Sequence, residues 1–382
     1  MLETEKKQET ETQSDTPAAQ PLPAAPDGFR PFYREIVVDM TPSVDAKLLE
    51  WMRGYSFDPE SVAARHSPKG KVLVLAPEEA QGRDWWFVGD IHGDVRALRC
   101  VVSKIQQESE DPRIVFLGDI FDRNLEDGGF ETVKSFLSLL RDGDGKILWL
   151  AGNHDTSLRY DEVAKRFPIT TNRSEFARFL NEHPDLHEFG RELVRIIGTL
   201  PEAVVFPDGL IAAHGGVPHV DVSDKLRSLE DFETVECSND FTWGRLTEAK
   251  CKFPDRISRG HEIGRKDFET FCARSEEALR AAGCQCPVSG IVFGHQHLLT
   301  NAAGYRKLGG YPKNPPSVCL YSSFMLESGM AWGTDAPYAI PCAYHRRVDG
   351  TYEVCGFVPA TGGVLDADLR KEAQARIEEN NE

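Results

Sequence analysis

The chain has 382 residues and carries 44 Lys and Arg against 61 Asp and Glu, so its net charge is −17. This charge repels a phosphate backbone, so no nucleic-acid partner is expected. No apolar run approaches the roughly 18 residues of a membrane span, and the N-terminal MLETEKKQETETQSD lacks the apolar segment of a secretory signal. We therefore expect a cytoplasmic protein without membrane contact, and its 40% hydrophobic residues suffice for a sizeable core.

The composition divides the chain into three regions. Residues 1–28 are rich in Glu, Thr, Gln, Pro and Ala, which predicts a disordered tail. Residues 29–360 have a globular composition and predict one folded domain, whereas residues 361–382 are charged and predict a solvated helix or frayed tail. The nine cysteines are odd in number and scattered, which is typical of reduced thiols rather than of a disulfide framework.

Short apolar runs recur along the domain, and each ends in a polar cluster. The first three are 85–88 before GDIHGD, 114–117 before GDIFDR, and 147–150 before AGNHD. Apolar helical faces lie between them, on 95–105 and 130–140. Because crossovers between parallel strands are right-handed, this order predicts three parallel strands whose polar clusters meet at one edge of a sheet.

Two further apolar runs end in the same way. Residues 203–206 and 210–213, separated by Pro-Asp-Gly, predict a hairpin that ends at HGG, and residues 290–293 end at GHQH. The later strands predict a second sheet stacked on the first: 318–321, 338–348 and 352–357.

The residues at these strand ends are carboxylates, imidazoles and one amide: Asp90, His92, Asp119, Asn153, His154, His214, His295 and His297. Such donors suit Mn²⁺, Fe or Zn²⁺, and the absence of a thiolate argues against a cysteine-rich structural zinc site. Taken singly, an Asp after a strand is usually a turn or helix cap, and a His is usually a hydrogen-bonded core residue. Five such clusters in series, each after an apolar strand, indicate a metal centre.

The motif series resembles the calcineurin-like metallophosphoesterase superfamily, and most closely its PPP-type serine/threonine protein phosphatases. The motifs are GDIHGD (89–94), GDIFDR (118–123), GNHD (152–155), HGG (214–216) and GHQH (294–297). Leu200-Pro201, Trp243 and Arg259-Gly260 support the narrower branch, and the match covers about 85–357. The resemblance implies an α/β (α+β) fold, a four-layer β-sandwich of two mixed sheets flanked by helices, with 29–360 as the catalytic domain.

The resemblance also implies a centre of two divalent metal ions. Asp90 and His92 would hold the first ion, Asn153, His214 and His295 the second, and Asp119 would bridge them. His297 is either a further ligand of the first ion or a residue that hydrogen-bonds to a ligand. Mn²⁺ is the ion expected to support activity in vitro, with Fe and Zn²⁺ as alternatives.

The remaining roles implied by the resemblance concern the phosphate and its leaving group. His154 would be the general acid that protonates the leaving alkoxide, and Asp122 would orient it. Arg123 and Arg259, together with Asn153, would bind phosphate oxygens. The segment 156–197 is longer than in compact family members, and we expect it to pack as helices, the alternative being a cap over the cleft.

The implied activity is hydrolysis of phosphate monoesters by a metal-activated hydroxide, without a covalent intermediate. Phosphoproteins are the expected substrates, at Ser or Thr, with Tyr also open. A hydrolase of dinucleoside polyphosphates or other small phosphoanhydrides is an alternative. A non-catalytic binding protein with a degenerate site is an alternative of another class, and the complete ligand set together with His154 and Arg123 argues against it.

Overall fold

A computed structural model describes residues 42–123, 127–170, 174–250, 259–296, 305–312, 314–323 and 341–356. The predicted tail 1–28 and the C-terminal segment 361–382 lie outside these residues. Within the described part, no helix is both long enough and apolar enough to cross a bilayer.

Helices and strands alternate over the first half of the described chain. The α-helices are α1 (Ala46–Gly54), α2 (Pro77–Ala80), α3 (Val95–Glu108), α4 (Phe130–Asp142), α5 (Asn153–Ser157), α6 (Glu175–Glu182), α7 (His187–Thr199), α8 (Val220–Ser223), α9 (Val235–Trp243) and α10 (Arg265–Ala281). Short 3₁₀ turns lie at Pro59–Ser61, Pro184–Leu186 and Leu229–Glu233. The strands are β1 (Ala64–His66), β2 (Val72–Leu75), β3 (Trp85–Val88), β4 (Arg113–Phe116), β5 (Ile147–Trp149), β6 (Ala203–Val205), β7 (Leu210–Ala213), β8 (Arg245–Leu246), β9 (Glu262–Ile263), β10 (Gly290–Phe293), β11 (Tyr305–Lys307), β12 (Val318–Leu320), β13 (Cys342–Arg346) and β14 (Tyr352–Gly356).

The first large sheet has the strand order β14-β13-β3-β4-β5. β3, β4 and β5 run parallel, with Trp86 opposite Ile114 and Ile114 opposite Ile147. The prediction of three parallel strands from the β-α-β-α-β pattern is therefore confirmed. Their C-terminal ends bring GDIHGD, GDIFDR and AGNHD to one edge of this sheet.

The second large sheet has the order β1-β2-β6-β7-β10-β12-β11. β6 and β7 form the predicted hairpin, and Gly209 in its turn has a φ of 88°, a left-handed value that glycine adopts without strain. β7 and β10 are parallel neighbours. HGG and GHQH therefore leave this sheet side by side.

The predicted strands near the C-terminus are divided between the two sheets. β12 pairs with β10 in the second sheet, as expected. The β13–β14 hairpin does not join it: β13 pairs antiparallel with β3 and extends the first sheet. The prediction that all three strands build the second sheet is thus wrong, because the partner of a hairpin is set by long-range pairing that its own residues do not encode.

Successive side chains of a strand are buried in different cores, on opposite faces of the sheet. This explains why the strands are continuous apolar runs. Trp85 and Phe87 of β3 point into a core between the two sheets, whereas Trp86 and Val88 point into a core under the helices. The second sheet has its own outer core, built with residues of α9 and α10. The layers are therefore helices, sheet, sheet and helices, and the predicted fold class is confirmed.

From Glu175 on, the segment after GNHD packs as helices, as predicted, whereas residues 158–170 form no helix. Phe176 and Leu180 of α6 and Phe189 and Leu193 of α7 are fully or almost fully buried in the outer core of the first sheet. Burial of such side chains contributes about 1.5–3 kcal/mol each. The α6–α7 segment is consequently fixed to the domain, and its first turn lies beside the GDIFDR loop.

Candidate metal centre

Five strand-end loops, three from the first sheet and two from the second, converge on one buried cluster. Asp90 and Asp119 are at most 1% exposed, and so are His92 and His214. The main-chain N–H of His295, after β10, donates to Asp90 Oδ1 at 3.0 Å, which joins the two sheets directly. The polar clusters predicted to converge do so.

Several of these residues have left-handed backbone conformations. The φ angles are 50° at His92, 53° at Asp119, 67° at Asp122, 66° at Arg123 and 56° at His295. A non-glycine residue in this region is strained, and such strain concentrates where a side chain must be held in one position. The loops thus adopt strained backbone conformations that hold these side chains in position.

Two glycines are required by close approach to the carboxylates. A Cβ on Gly294 would stand 2.1 Å from Asp90 Oδ1, and one on Gly152 would stand 2.3 Å from Asp119 Oδ1. Both distances are too short for non-bonded atoms. These glycines let the loops after β10 and β5 close around the carboxylates.

Two groups of candidate ligands share Asp119. One contains Asp90, Asp119 and His214, and the other contains His92, Asp119 and His154. Asp119 Oδ2 lies 3.3 Å from His214 Nε2 and 3.8 Å from His92 Nε2. His214 Nε2 also lies 2.8 Å from Asn153 Oδ1, which brings the amide of GNHD into the first group.

The donor set fits two divalent cations. Two carboxylates packed within one buried cluster repel each other, and a buried charge is stabilised only when an opposite charge is close. Oxygen and imidazole donors without a thiolate suit Mn²⁺, Fe or Zn²⁺. The shared position of Asp119 suits a ligand common to both ions.

Electrostatics around Asp119 are set by burial and by the imidazoles. Burial alone would raise the pKa of Asp119, but His214, His154 and His92 outweigh it and the pKa lies well below its ordinary value. For His214, burial favours the neutral ring, yet Asp119 raises its pKa to about 9. Without a cation, Asp119 and His214 thus form a charge pair, and a cation would have to displace the proton of His214 before the ring could bind it.

Asp155 holds the Asp119 loop from below. Its carboxylate accepts the N–H groups of Asp119 and Gly152, both at 2.9 Å, and that of Ile120 at 3.3 Å. The indole N–H of Trp149 donates to it at 3.4 Å. Burial and the nearby Asp119 raise the pKa of Asp155 to about 7. Asp155 is the last residue of the GNHD motif, and the sequence analysis assigned it no role.

His154 lies beside the cluster with a carboxylate partner. Its Nδ1 is 2.8 Å from Asp122 Oδ2, and its Nε2 is 3.4 Å from an Nη of Arg123. Burial lowers the pKa of His154, but Asp119 and Asp122 more than compensate and raise it. The predicted acid, its orienting carboxylate and one predicted phosphate-binding arginine are therefore neighbours.

Arg259 is the predicted residue least integrated into the cluster. It is exposed, and its guanidinium carbon lies 5.7 Å from the centre of the Trp243 ring. The Trp243 ring in turn lies edge-on to His295, with centroids 6.1 Å apart. Among the described residues, no hydrogen bond or ion pair joins Arg259 to the other candidate site residues. His297 lies outside the described residues, so its predicted role stays a prediction.

Asp240 is a buried residue that sequence reasoning missed. Oδ2 accepts the main-chain N–H and Nδ1–H of His219, at 3.0 and 2.6 Å, and Oδ1 accepts the same two groups of His261, at 2.9 and 2.8 Å. The two rings stack with centroids 3.7 Å apart and an interplanar angle of 28°. Because the four donors come from the loop after β7 and the loop before β9, Asp240 is a clamp between these two loops. Nothing in the sequence indicates that Asp240 pairs with His219 and His261, because the three residues belong to no common motif.

Comparison with known proteins places these features in context. Residues 85–299 match the family model of the calcineurin-like phosphoesterases. Among solved structures, the chain is similar to a protein serine/threonine phosphatase from Saccharomyces cerevisiae with similarity to human phosphatase PP5, at 16% identity and a TM-score of 0.51, over 82% of this chain and 94% of that chain. It is also similar to a structure described as a diadenosine tetraphosphatase, at 16% identity and a TM-score of 0.35, over 76% and 99%. The first likeness concerns the fold alone, and the second is too weak to carry an argument.

Proposed function

The chain belongs to the calcineurin-like phosphoesterase family, and we propose that it is a metal-dependent phosphatase that hydrolyses phosphate monoesters, with phosphoserine and phosphothreonine in proteins as the substrate class. The observation that carries this proposal is the Asp122–His154 pair, 2.8 Å apart, beside the candidate metal ligands. An alkyl alkoxide leaves poorly unless it is protonated, so an oriented acid is most useful for serine and threonine esters. A phosphoanhydride, whose leaving group is a stable anion, has less need of it.

We propose that the metal ligands are the residues of the buried cluster together with the half-buried His295, whose ring centroid lies 5.3 Å from that of His214. Asp90 and His92 would hold one ion, Asn153, His214 and His295 the other, and Asp119 both. When bound, two such ions generate a nucleophile from water at neutral pH and neutralise charge on the phosphate. We propose Mn²⁺ as the ion that supports activity in vitro.

The side chains around the metals have separate tasks in this proposal. Arg123, and Arg259 from the rim above Trp243, donate to phosphate oxygens, for which the planar guanidinium is suited. Asp122 fixes the ring of His154 through Nδ1, which leaves Nε2 to hold the proton that the leaving oxygen takes. His154 follows the ligand Asn153 directly in the chain, which argues that it does not bind the same ion.

The first test is hydrolysis of p-nitrophenyl phosphate by protein stripped with chelator and reloaded with Mn²⁺. We expect turnover that depends on Mn²⁺ and that Asp119→Asn abolishes together with metal binding. Asp221→Asn, which changes an exposed carboxylate, is the matched control and should match the wild type. Wild-type protein that binds Mn²⁺ without any hydrolysis would refute the catalytic assignment.

A substrate panel then tests the narrower part of the proposal. We expect phosphoserine and phosphothreonine peptides to be hydrolysed with a higher kcat/KM than a phosphotyrosine peptide, diadenosine tetraphosphate or a phosphodiester. Faster hydrolysis of the tetraphosphate would identify a phosphoanhydride hydrolase instead. Because all substrates use the same protein and metal, the ranking is independent of metal loading.

A further inference from the structure

Helix α6 is hydrogen-bonded to the carboxylate that orients His154. The N–H of Phe176 donates to Asp122 Oδ1 at 2.9 Å, and His154 Nδ1 faces the other oxygen, Oδ2, at 2.8 Å. One carboxylate therefore links the first turn of α6 to the imidazole. The orientation of His154 depends on where α6 begins.

The residue before Phe176 holds the neighbouring arginine. The main-chain N–H of Arg123 donates to Glu175 Oε2 at 3.2 Å, while that of Asp122 donates to the carbonyl of Gly128 at 2.9 Å. Asp122 and Arg123 are consecutive left-handed residues, with φ of 67° and 66°. Such a pair relaxes unless its surroundings hold it. The Glu175 carboxylate is the side-chain acceptor that holds the second of the two.

The helix itself is a firm support. Phe176 is fully buried, and its ring lies 4.7 Å from that of Phe121, the residue before Asp122. A Cβ on Gly128 would stand 2.5 Å from the Phe176 backbone, so Gly128 is in close contact with the helix. A shift in the loop must therefore be absorbed by its hydrogen bonds to α6 rather than by movement of the helix.

We propose that Glu175 is a positioning residue for the phosphatase reaction, acting through the Arg123 backbone to hold the Asp122–His154 pair in register with the leaving group. This inference rests on the proposed function. It assigns a role in the acid step to α6, a segment that the motifs of the metal centre do not include. Glu175 itself is not a catalytic residue, since it bonds to the backbone of Arg123 and not to the reacting atoms.

The test compares two esters that differ in their need for an acid. Phenyl phosphate has a poor leaving group and 2,4-dinitrophenyl phosphate a good one. With Mn²⁺-loaded protein, Glu175→Ala should lower kcat on phenyl phosphate about 10- to 100-fold, the range expected when an acid is displaced, and change kcat on the dinitrophenyl ester far less. Glu175→Gln keeps an acceptor oxygen and should restore most of the loss. Glu182→Ala, at the exposed last residue of the same helix, is the matched control.

A second readout does not need activity. In metal-free protein, the proton resonance of His154 Nδ1–H, assigned by its loss in His154→Ala, should shift or broaden in Glu175→Ala and stay in place in Glu182→Ala. Equal losses of kcat on both esters, no loss on either, or an unmoved resonance would overturn the assignment. If wild-type protein hydrolyses neither ester but the resonance shifts, the positioning role stands and the proposed function fails.

Discussion

Replacing Asp240 with Asn should destabilise the fold by about 3 kcal/mol. The buried carboxylate accepts one main-chain N–H and one imidazole N–H on each oxygen, from His219 and from His261. An amide has one oxygen, so it serves only one of these two sides. On the other side the imidazole can change its tautomer and accept from the amide, but the main-chain N–H cannot.

The expected destabilisation is the sum of two costs. One buried main-chain N–H left without an acceptor costs about 1–3 kcal/mol, and the bonds that remain change from charge-assisted to neutral, which costs about 1 kcal/mol more. The pKa of Asp240 also indicates that its ionised form stabilises the fold. Burial alone would raise its pKa, but the hydrogen bonds from His219 and His261 lower it, so the ionised form stabilises the fold above the unfolded value of 3.8.

Urea unfolding at neutral pH, followed by tryptophan fluorescence, measures the change in the free energy of unfolding. Asp221→Asn alters an exposed carboxylate near His219 and should remain within about 0.5 kcal/mol of the wild type. Because Arg259 is two residues from His261, KM for a phosphate ester should also rise in Asp240→Asn. A loss of stability below about 1 kcal/mol would mean that the clamp does not hold the two loops as inferred.

Three further predictions concern the clamp and the metal centre. The hydrogen bond to Asp240 raises the pKa of His219 above 6.5, so protonated His219 stabilises the fold below that pH, and this contribution is lost as the pH rises through the folded pKa. The free energy of unfolding, measured over about pH 6–9, should therefore decline in the wild type more than in His219→Gln, and parallel curves for the two proteins would contradict this. Gly294→Ala should displace Asp90 and lower the metal content of dialysed protein, whereas Gly198→Ala, where a Cβ meets no atom within 4 Å, should not; full metal content in Gly294→Ala would exclude the clash. His154→Ala should retain its metals yet lose turnover on phenyl phosphate by about 10²-fold or more, and loss of a metal ion instead would make His154 a ligand.

The strand-end clusters could be predicted from the sequence because the pattern is local. Each apolar run covers one strand that is buried on both faces, and each motif follows directly, so chain order and crossover handedness suffice to bring Asp90, Asp119 and Asn153 to one edge. The family motifs added roles for these residues, and those roles remain predictions. The same pattern predicted parallel strands joined by helices and a second stacked sheet, whereas the four-layer arrangement was implied by the resemblance to the family.

The features that sequence analysis missed depend on pairs of residues far apart in the chain. Asp240 meets its two histidines through loops that become neighbours only after the second sheet forms. Glu175 meets Arg123, 52 positions earlier, only because α6 packs under the first sheet. The β13–β14 hairpin was recognised, but not its partner β3. In each case the residue types are common, and only the tertiary contact distinguishes them.

The joining of the two sheets at the metal centre has a consequence for folding kinetics. The hydrogen bond from His295 to Asp90 closes 205 residues of chain, and His214 Nδ1 meets the carbonyl of Leu117 at 3.0 Å across the same junction. Contacts between residues so distant in sequence form late, because the entropy of closing the intervening chain is lost before they contribute. A refolding chain will therefore acquire most of its helix content before its ligands are assembled, and the recovery of metal binding will report the last docking step rather than the first collapse.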